Sequence, residues 1–331
     1  MVKLFFKNYL LLVIVLLFVG TEIYAQKVDY SVVFVPEESG TEFIKITQDG
    51  DYVCLPLVKR NTKGLSWFTN HILDVSKDGK NIAYLSFRNN TSNIFVKSLE
   101  KQGSSLQRTN RNMILDFSYS NDGKYICFTE QRGKTTQLFQ TSADKGYVCR
   151  QLTSNNSDYS PVYAFDMQQI FFSRMEAKGS SIWSYNIKNN FLSSLTPGMN
   201  PYPYGDNTYL CVRTNGDGRS EIWKVNYETG IEECIVSDIE RSFTSPRISP
   251  DRQWVLFVGG SKIQSGKITY WNTDIYVARI DGTDLMQLTY HAADDLSPVW
   301  SKDGKYIYFV SQRGSADGCA NVWRMSFNYI E

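Results

Sequence analysis

Residues 296–314 read LSPVWSKDGKYIYFVSQRG. Asp303 and Gly304 are turn formers, and the next run, Tyr306 to Val310, is aromatic and β-branched throughout. An apolar run, a tight Asp-Gly turn and a second apolar run predict two antiparallel strands. The turn recurs with its Asp at a fixed place: SKDGK at Asp78, SNDGK at Asp122, AFDMQ at Asp166, GDN at Asp206 and SPDRQ at Asp251. With Asp303 included, the successive spacings are 44, 44, 40, 45 and 52 residues, close to the ~40–45 of a four-stranded propeller blade.

The segments after the turns are alike as well. A dense apolar strand comes first: IAYLS from Ile82, YICFT from Tyr125, IFFS from Ile170, YLCV from Tyr209, WVLFV from Trp254 and YIYFV from Tyr306. These strands lack polar alternation, as expected of a strand covered on both faces by neighbouring sheets. A third strand opens with a polar, an aliphatic and an aromatic residue: NIF at Asn93, QLF at Gln137, SIW at Ser181, EIW at Glu221, DIY at Asp274 and NVW at Asn321. A fourth closes on Thr109, Thr153, Thr196, Ser237 and Thr289. That is one closing strand short of six. SGTEFIKIT (Ser39 to Thr47) matches DGTDLMQLT (Asp281 to Thr289) in spacing and in its final Thr, so the N-terminal strand is expected to complete the last sheet and remove the open edge. The expected fold is all-β: a six-bladed β-propeller of four-stranded antiparallel blades, closed by an N-terminal strand. The propeller occupies 26–331, with 28–58 as closing strands and lead-in. Segment 32–37 (VVFVPE) is strand-like but has no place in this count, because Asn321 to Phe327 already supplies the last third strand.

The pattern S-x-D-G-K-x-I-x-F, then S-x-R, then the polar-aliphatic-aromatic triplet, resembles the WD40-like repeat of TolB and of the propeller domains that precede some dipeptidyl-peptidase domains. The resemblance covers nearly all of 26–331 and implies a fold far more than a function, since propellers host many unrelated activities. TolB resembles the chain only in its propeller, so contacts that family makes through a separate α/β domain are not carried over. The hydrolase domain of the peptidases likewise has no counterpart in the repeats.

The first 25 residues predict a compartment. Lys3 and Lys7 precede an apolar run of eleven residues, Tyr9 to Val19, and Thr21 to Ala25 ends in a small residue. That is the layout of a secretory signal peptide, and the run is short of the ~20 residues needed to span a bilayer as an uncleaved anchor. A periplasmic or secreted protein is expected, with no membrane span after cleavage. Net charge is +1 with no basic block, which argues against nucleic acid as a partner. The pairs Cys127 and Cys149, and Cys211 and Cys234, fall on second and fourth strands of a blade. Strands two apart lie ~9.5 Å from each other, beyond the about 7 Å limit of a disulfide, so free thiols are expected.

No nucleophile elbow, H-E-x-x-H, Walker loop or C-x-x-C occurs. His71 and His291 are the chain's two histidines, both in loops leading into a first strand. They read either as a metal or general-base pair at the channel mouth, with Asp294 and Asp295 as added carboxylates, or as loop residues with ordinary hydrogen bonds. Arg88, Arg132, Arg174, Arg213 and Arg313 recur just after the second strand, as an anion-binding ring or as braces within the repeat. Two insertions, Lys59 to Ile72 and Gly259 to Asn272, carry Trp67, Phe68, Tyr270 and Trp271. These rings either form a recognition surface or fold back over the propeller.

The expected role is a noncatalytic binding module for a protein or cell-envelope partner, monomeric, without metal or cofactor. Its binding face would comprise Trp67, Phe68, His71, Arg88, Arg132, Tyr270, Trp271, His291 and Arg313. The alternatives are a lyase or hydrolase with a channel-mouth site and a sugar- or peptide-sensing domain.

Overall fold

A computed structural model of the chain describes residues 41–328 apart from 57, 61–66, 145–146, 155, 206, 266–267 and 316–317, and gives the backbone alone at 58–60, 67–68, 263–265 and 268–270. The expected signal peptide and the strand-like segment 32–37 lie outside the described residues. Six four-stranded antiparallel sheets succeed one another along the chain: blade 1 over 73–107, blade 2 over 114–151, blade 3 over 158–197, blade 4 over 199–236, blade 5 over 242–287, and blade 6 over 295–326 with Phe43–Lys45 added. Each blade packs on the next, and blade 6 packs on blade 1. The second strands are buried as their composition demands, with Ile82 to Leu85 and Val255 to Val258 each at most 1% exposed. Among the described residues no helix is long and apolar enough to cross a membrane.

The Asp-Gly turns recur because the Asp side chain is their template. In blade 6 Ser301 Oγ donates to Asp303 Oδ1 at 2.6 Å, the Lys305 N–H donates to the same oxygen at 3.1 Å, and the Tyr306 N–H donates to Ser301 Oγ at 2.8 Å. Blades 1 and 2 repeat the three bonds through Ser76 and Asp78 and through Ser120 and Asp122, and blade 5 makes them at an Asp-Arg turn through Ser249 and Asp251. The glycine has two reasons. Gly123 has φ +75°, and a Cβ there would sit 2.9 Å from Lys77 Cβ of blade 1's turn. Neighbouring turns therefore interlock around that face.

Ring closure agrees with the expected scheme and reuses the repeat's own chemistry. Phe43, Ile44 and Lys45 pair with Met325, Arg324 and Trp323. In blades 1, 2 and 5 the closing threonine accepts the N–H of the triplet's aliphatic residue: Ile94 to Thr109, Leu138 to Thr153, Ile275 to Thr289. Thr47 does this for blade 6, accepting from the Val322 N–H at 2.9 Å and donating to Asn321 Oδ1 at 2.9 Å, fully buried. Val53 then bridges Ser86 of blade 1 and Ala320 of blade 6.

All six cysteines are free. Cys127 and Cys211 are buried, and burial pushes each thiol up to about 12. Cys234 is exposed.

Thr47→Val keeps the shape but orphans the buried Val322 N–H and the Asn321 carbonyl oxygen, at roughly 1–3 kcal/mol per group. Urea unfolding is expected to show a loss of at least about 1 kcal/mol on this basis. Gly123→Ala adds a Cβ at a left-handed position and is expected to cost about 1–2 kcal/mol in the same assay.

Candidate functional site: a channel closed at one end

The first strands line the central channel, and four of them carry the same kink. Ser160, Asn200, Ser245 and Ser297 have φ of +52°, +49°, +56° and +50°, each immediately before a proline, and pairing with the second strand slips at each site. A non-glycine residue in this region costs about 1–2 kcal/mol, a strain that persists only where surrounding contacts hold it.

The contacts are in the channel. The segment Thr69–His71, which leads out of the short ribbon formed by Val58–Arg60 and Trp67–Thr69, bonds four other blades. Asn70 Nδ2 donates to the Leu115 carbonyl of blade 2 at 3.1 Å, and the Phe117 N–H donates to the His71 carbonyl at 3.3 Å. Asn200 Nδ2 of blade 4 donates to the Thr69 carbonyl at 3.4 Å, and the Thr69 hydroxyl meets the Ser245 hydroxyl of blade 5 at 2.5 Å. Ser297 of blade 6 donates to the Asn70 carbonyl at 3.1 Å and accepts from the Ile72 N–H at 3.2 Å. Thr69, Asn70 and His71 are buried. This polar stopper closes the end of the channel from which the first strands start.

The other end is open. A cavity of about 370 Å³ runs from His71 down the first strands to the Asp-Gly turns, between Asp74, Ser118, Val162, Tyr202, Arg247 and Val299, one residue from each blade in turn. Arg247 dominates it. Its Nε donates to His71 Nε2 at 3.2 Å, its Nη1 donates to the Pro246 carbonyl at 2.8 Å, and its guanidinium lies over the Tyr202 ring at 4.8 Å. Asp74 accepts both its own chain's Val75 N–H and the Tyr119 N–H, at 2.8 Å each. Burial, reinforced by the charge of Arg247, holds the His71 pKa well below its ordinary 6.5. Burial raises Asp74 and takes Asp116, the next acid along blade 2, up to about 6.

Comparison with known proteins agrees with this architecture. No family model matches the chain. A putative TolB from Agrobacterium tumefaciens superposes with TM-score 0.61 at 16% identity, over 79% of this chain and 93% of that one. The fold is that of a TolB-like six-bladed β-propeller. An oligogalacturonate lyase from Vibrio parahaemolyticus gives TM-score 0.57 at 12% identity over 89% and 96% of the two chains. The propeller domain of the trilobed protease from Pyrococcus furiosus gives 0.51 at 12%, over 88% and 94%. At these identities the likenesses concern the fold alone.

In this TolB-like propeller the sequence-predicted residues do not form one cluster. His71 is in the stopper, bonded to Arg247. The His291 imidazole accepts the Ala293 N–H through Nδ1 at 2.9 Å in the loop before blade 6. Asp294 accepts from Thr273 through the backbone N–H at 2.9 Å and through the hydroxyl at 2.7 Å, and Asp295 pairs with Arg313 at 2.5 Å. Among the described residues no group of three or more metal-ligating side chains occurs. The arginines that recur after the second strand each lie over an aromatic ring of their own blade: Arg88 over Phe95, Arg132 over Phe139, Arg174 over Trp183, Arg213 over Trp223 and Arg313 over Phe309. All five also pair with an acid, Asp51, Glu130, Asp158, Glu232 and Asp295 in turn, and Arg88 donates besides to the Ser86 hydroxyl and the Asp51 carbonyl. The side chains of Trp67, Phe68 and Tyr270 lie outside the described residues, and Trp271 is half-buried.

Arg247 and Tyr202 went unread in the sequence because each occurs once, in blades 5 and 4, at a place where other blades carry other residues. The signal that marks the place is the recurring Ser-Pro or Asn-Pro, two residues ahead of it, in four repeats.

Asp116 gives a pH test. Its folded pKa is raised, so its contribution to stability is fully present below its unfolded value near 4 and is lost as pH rises through about 6. The shift corresponds to roughly 3 kcal/mol. Asp116→Asn keeps an acceptor for the Ser160 N–H, which now donates to Oδ2 at 3.0 Å, and does not titrate. Urea unfolding at pH 4, 6 and 8 is expected to show the variant gaining on the natural protein up to about pH 7, with a constant difference above it.

Proposed function

We propose that the chain is an exported, noncatalytic TolB-like propeller that binds a protein or cell-envelope partner on the face where its two insertions rise. The observation that carries this reading is the shape of the insertions. In blade 5 the strands Trp254–Ser265 and Ile268–Arg279 stay paired for five residue pairs beyond Gly260, the last to have a partner on the first strand, from Ser261 with Asn272 to Ser265 with Ile268. At ~3.4 Å per residue the hairpin stands about 17 Å beyond the blade. The ribbon of Val58–Arg60 and Trp67–Thr69 leads into blade 1's first strand. Starts of first strands and ends of second strands share the face opposite the Asp-Gly turns, so both ribbons rise together. Their sequence carries Trp67, Phe68, Tyr270 and Trp271, the residue types that concentrate binding energy at interfaces. Arg88 and Arg132, at the ends of second strands, and His291, before a first strand, share that face.

The chemistry of the channel favours binding over catalysis. His71 Nε2 already accepts a proton donor, and a pKa held well below 6.5 makes it a weak general base at neutral pH. The N-terminal segment supports export on its sequence pattern.

Replacing Trp67, Tyr270 and Trp271 together with alanine is expected to leave the circular dichroism spectrum and urea midpoint within error, and to abolish recovery of a cross-linked partner from envelope extracts. Undiminished recovery by the triple variant refutes this face.

A further inference from the structure

The funnel on the opposite face is a second, independent feature. Arg247 is the cation at its floor, and among the described residues no carboxylate lies within ion-pair distance of it, unlike Arg132, Arg174, Arg213 and Arg313. Two of its nitrogens are engaged by His71 and Pro246, Nη2 makes no hydrogen bond among the described residues, and the side chain lines the cavity. A neutral His71 on one edge and the Tyr202 ring beneath hold the guanidinium fork in place without neutralising it. A half-desolvated, prepositioned guanidinium edge suits a carboxylate.

The walls and rim narrow the choice. Lys77 and Lys302 stand on the turns around the mouth, and Arg252 reaches across from blade 5 to lie over Phe165 of blade 3 at 4.6 Å. This rim draws anions inward. Trp300, Tyr119 and Tyr202 line the interior, so the body of the ligand meets aromatic surface. Asp74 faces the same cavity with both oxygens bound to backbone N–H groups, and a second negative charge on the ligand would be repelled there. The volume, about 370 Å³, holds on the order of a dozen waters at ~30 Å³ each, or a ligand of one ring with a short chain.

We propose that this funnel binds a singly charged carboxylate attached to a flat or apolar body, with the Arg247 fork on the carboxylate and the body between Tyr202 and Trp300. The same chemistry is presented by a small aromatic acid and by the C-terminus of a peptide ending in an aromatic residue. The site does not depend on the hairpin face, and its failure would leave the partner proposal standing.

The test is titration calorimetry with matched pairs: benzoate against benzamide, and N-acetyl-Ala-Phe against its C-terminal amide. The acid of at least one pair is expected to bind at least about tenfold more tightly than its amide, and the pair that does so identifies the source. Arg247→Gln is expected to erase the preference. Lys77→Ala with Lys302→Ala, at exposed positions that keep their Cβ atoms, is expected to weaken acid binding several-fold at low salt and less at high salt. Equal binding of acid and amide in both pairs, no binding of either acid, or an unchanged preference in a folded Arg247→Gln protein overturns the proposal. Should Arg247→Gln fail to fold, an unaltered affinity in the double lysine variant overturns it instead.

Discussion

Without a fourth strand the last blade would leave one edge of Asn321–Ser326 unpaired, and the other end of the chain supplies that strand. Here the seam is closed at few points. Three residue pairs join Phe43–Lys45 to the last blade, and a single buried threonine, Thr47, satisfies the Val322 N–H and Asn321 at its centre. The neighbouring Val53 then touches both blade 6 and blade 1. The clasp thus ties blade 6 to blade 1, whose first strands pack side by side at the channel.

The centre of the ring is built on strain held by hydrogen bonds. Four first strands turn through a left-handed residue just before a proline, which aims small polar side chains inward. Thr69–His71 supplies the partners, so one insertion serves as ribbon outside and stopper inside. The consequence is electrostatic: burial at the stopper holds the His71 pKa low and raises that of Asp116, while Arg247 lines the cavity toward the open end.

The repeated arginines show why a repeat can mislead about function. A residue that returns in five blades at one place has one job in each, and that job is to cap an aromatic ring and meet an acid or a carbonyl of its surroundings. Arg247, a singular residue at an otherwise variable place, lines the channel cavity instead.

The sequence by itself determined the blade count, the antiparallel order within each blade, the turn chemistry and the clasp. These depend on local templates, such as Asp303 gathering its own turn's donors, and on spacings that repeat. The alternation of strand direction within a blade also implies that the two insertions share one face. Only the tertiary structure decided that Thr69–His71 fills the channel and that Arg247, Tyr202 and Asp74 share one cavity with His71. His71 and Arg247 are 176 positions apart, their identities do not repeat between blades, and their meeting depends on ring closure and the kinks in the first strands.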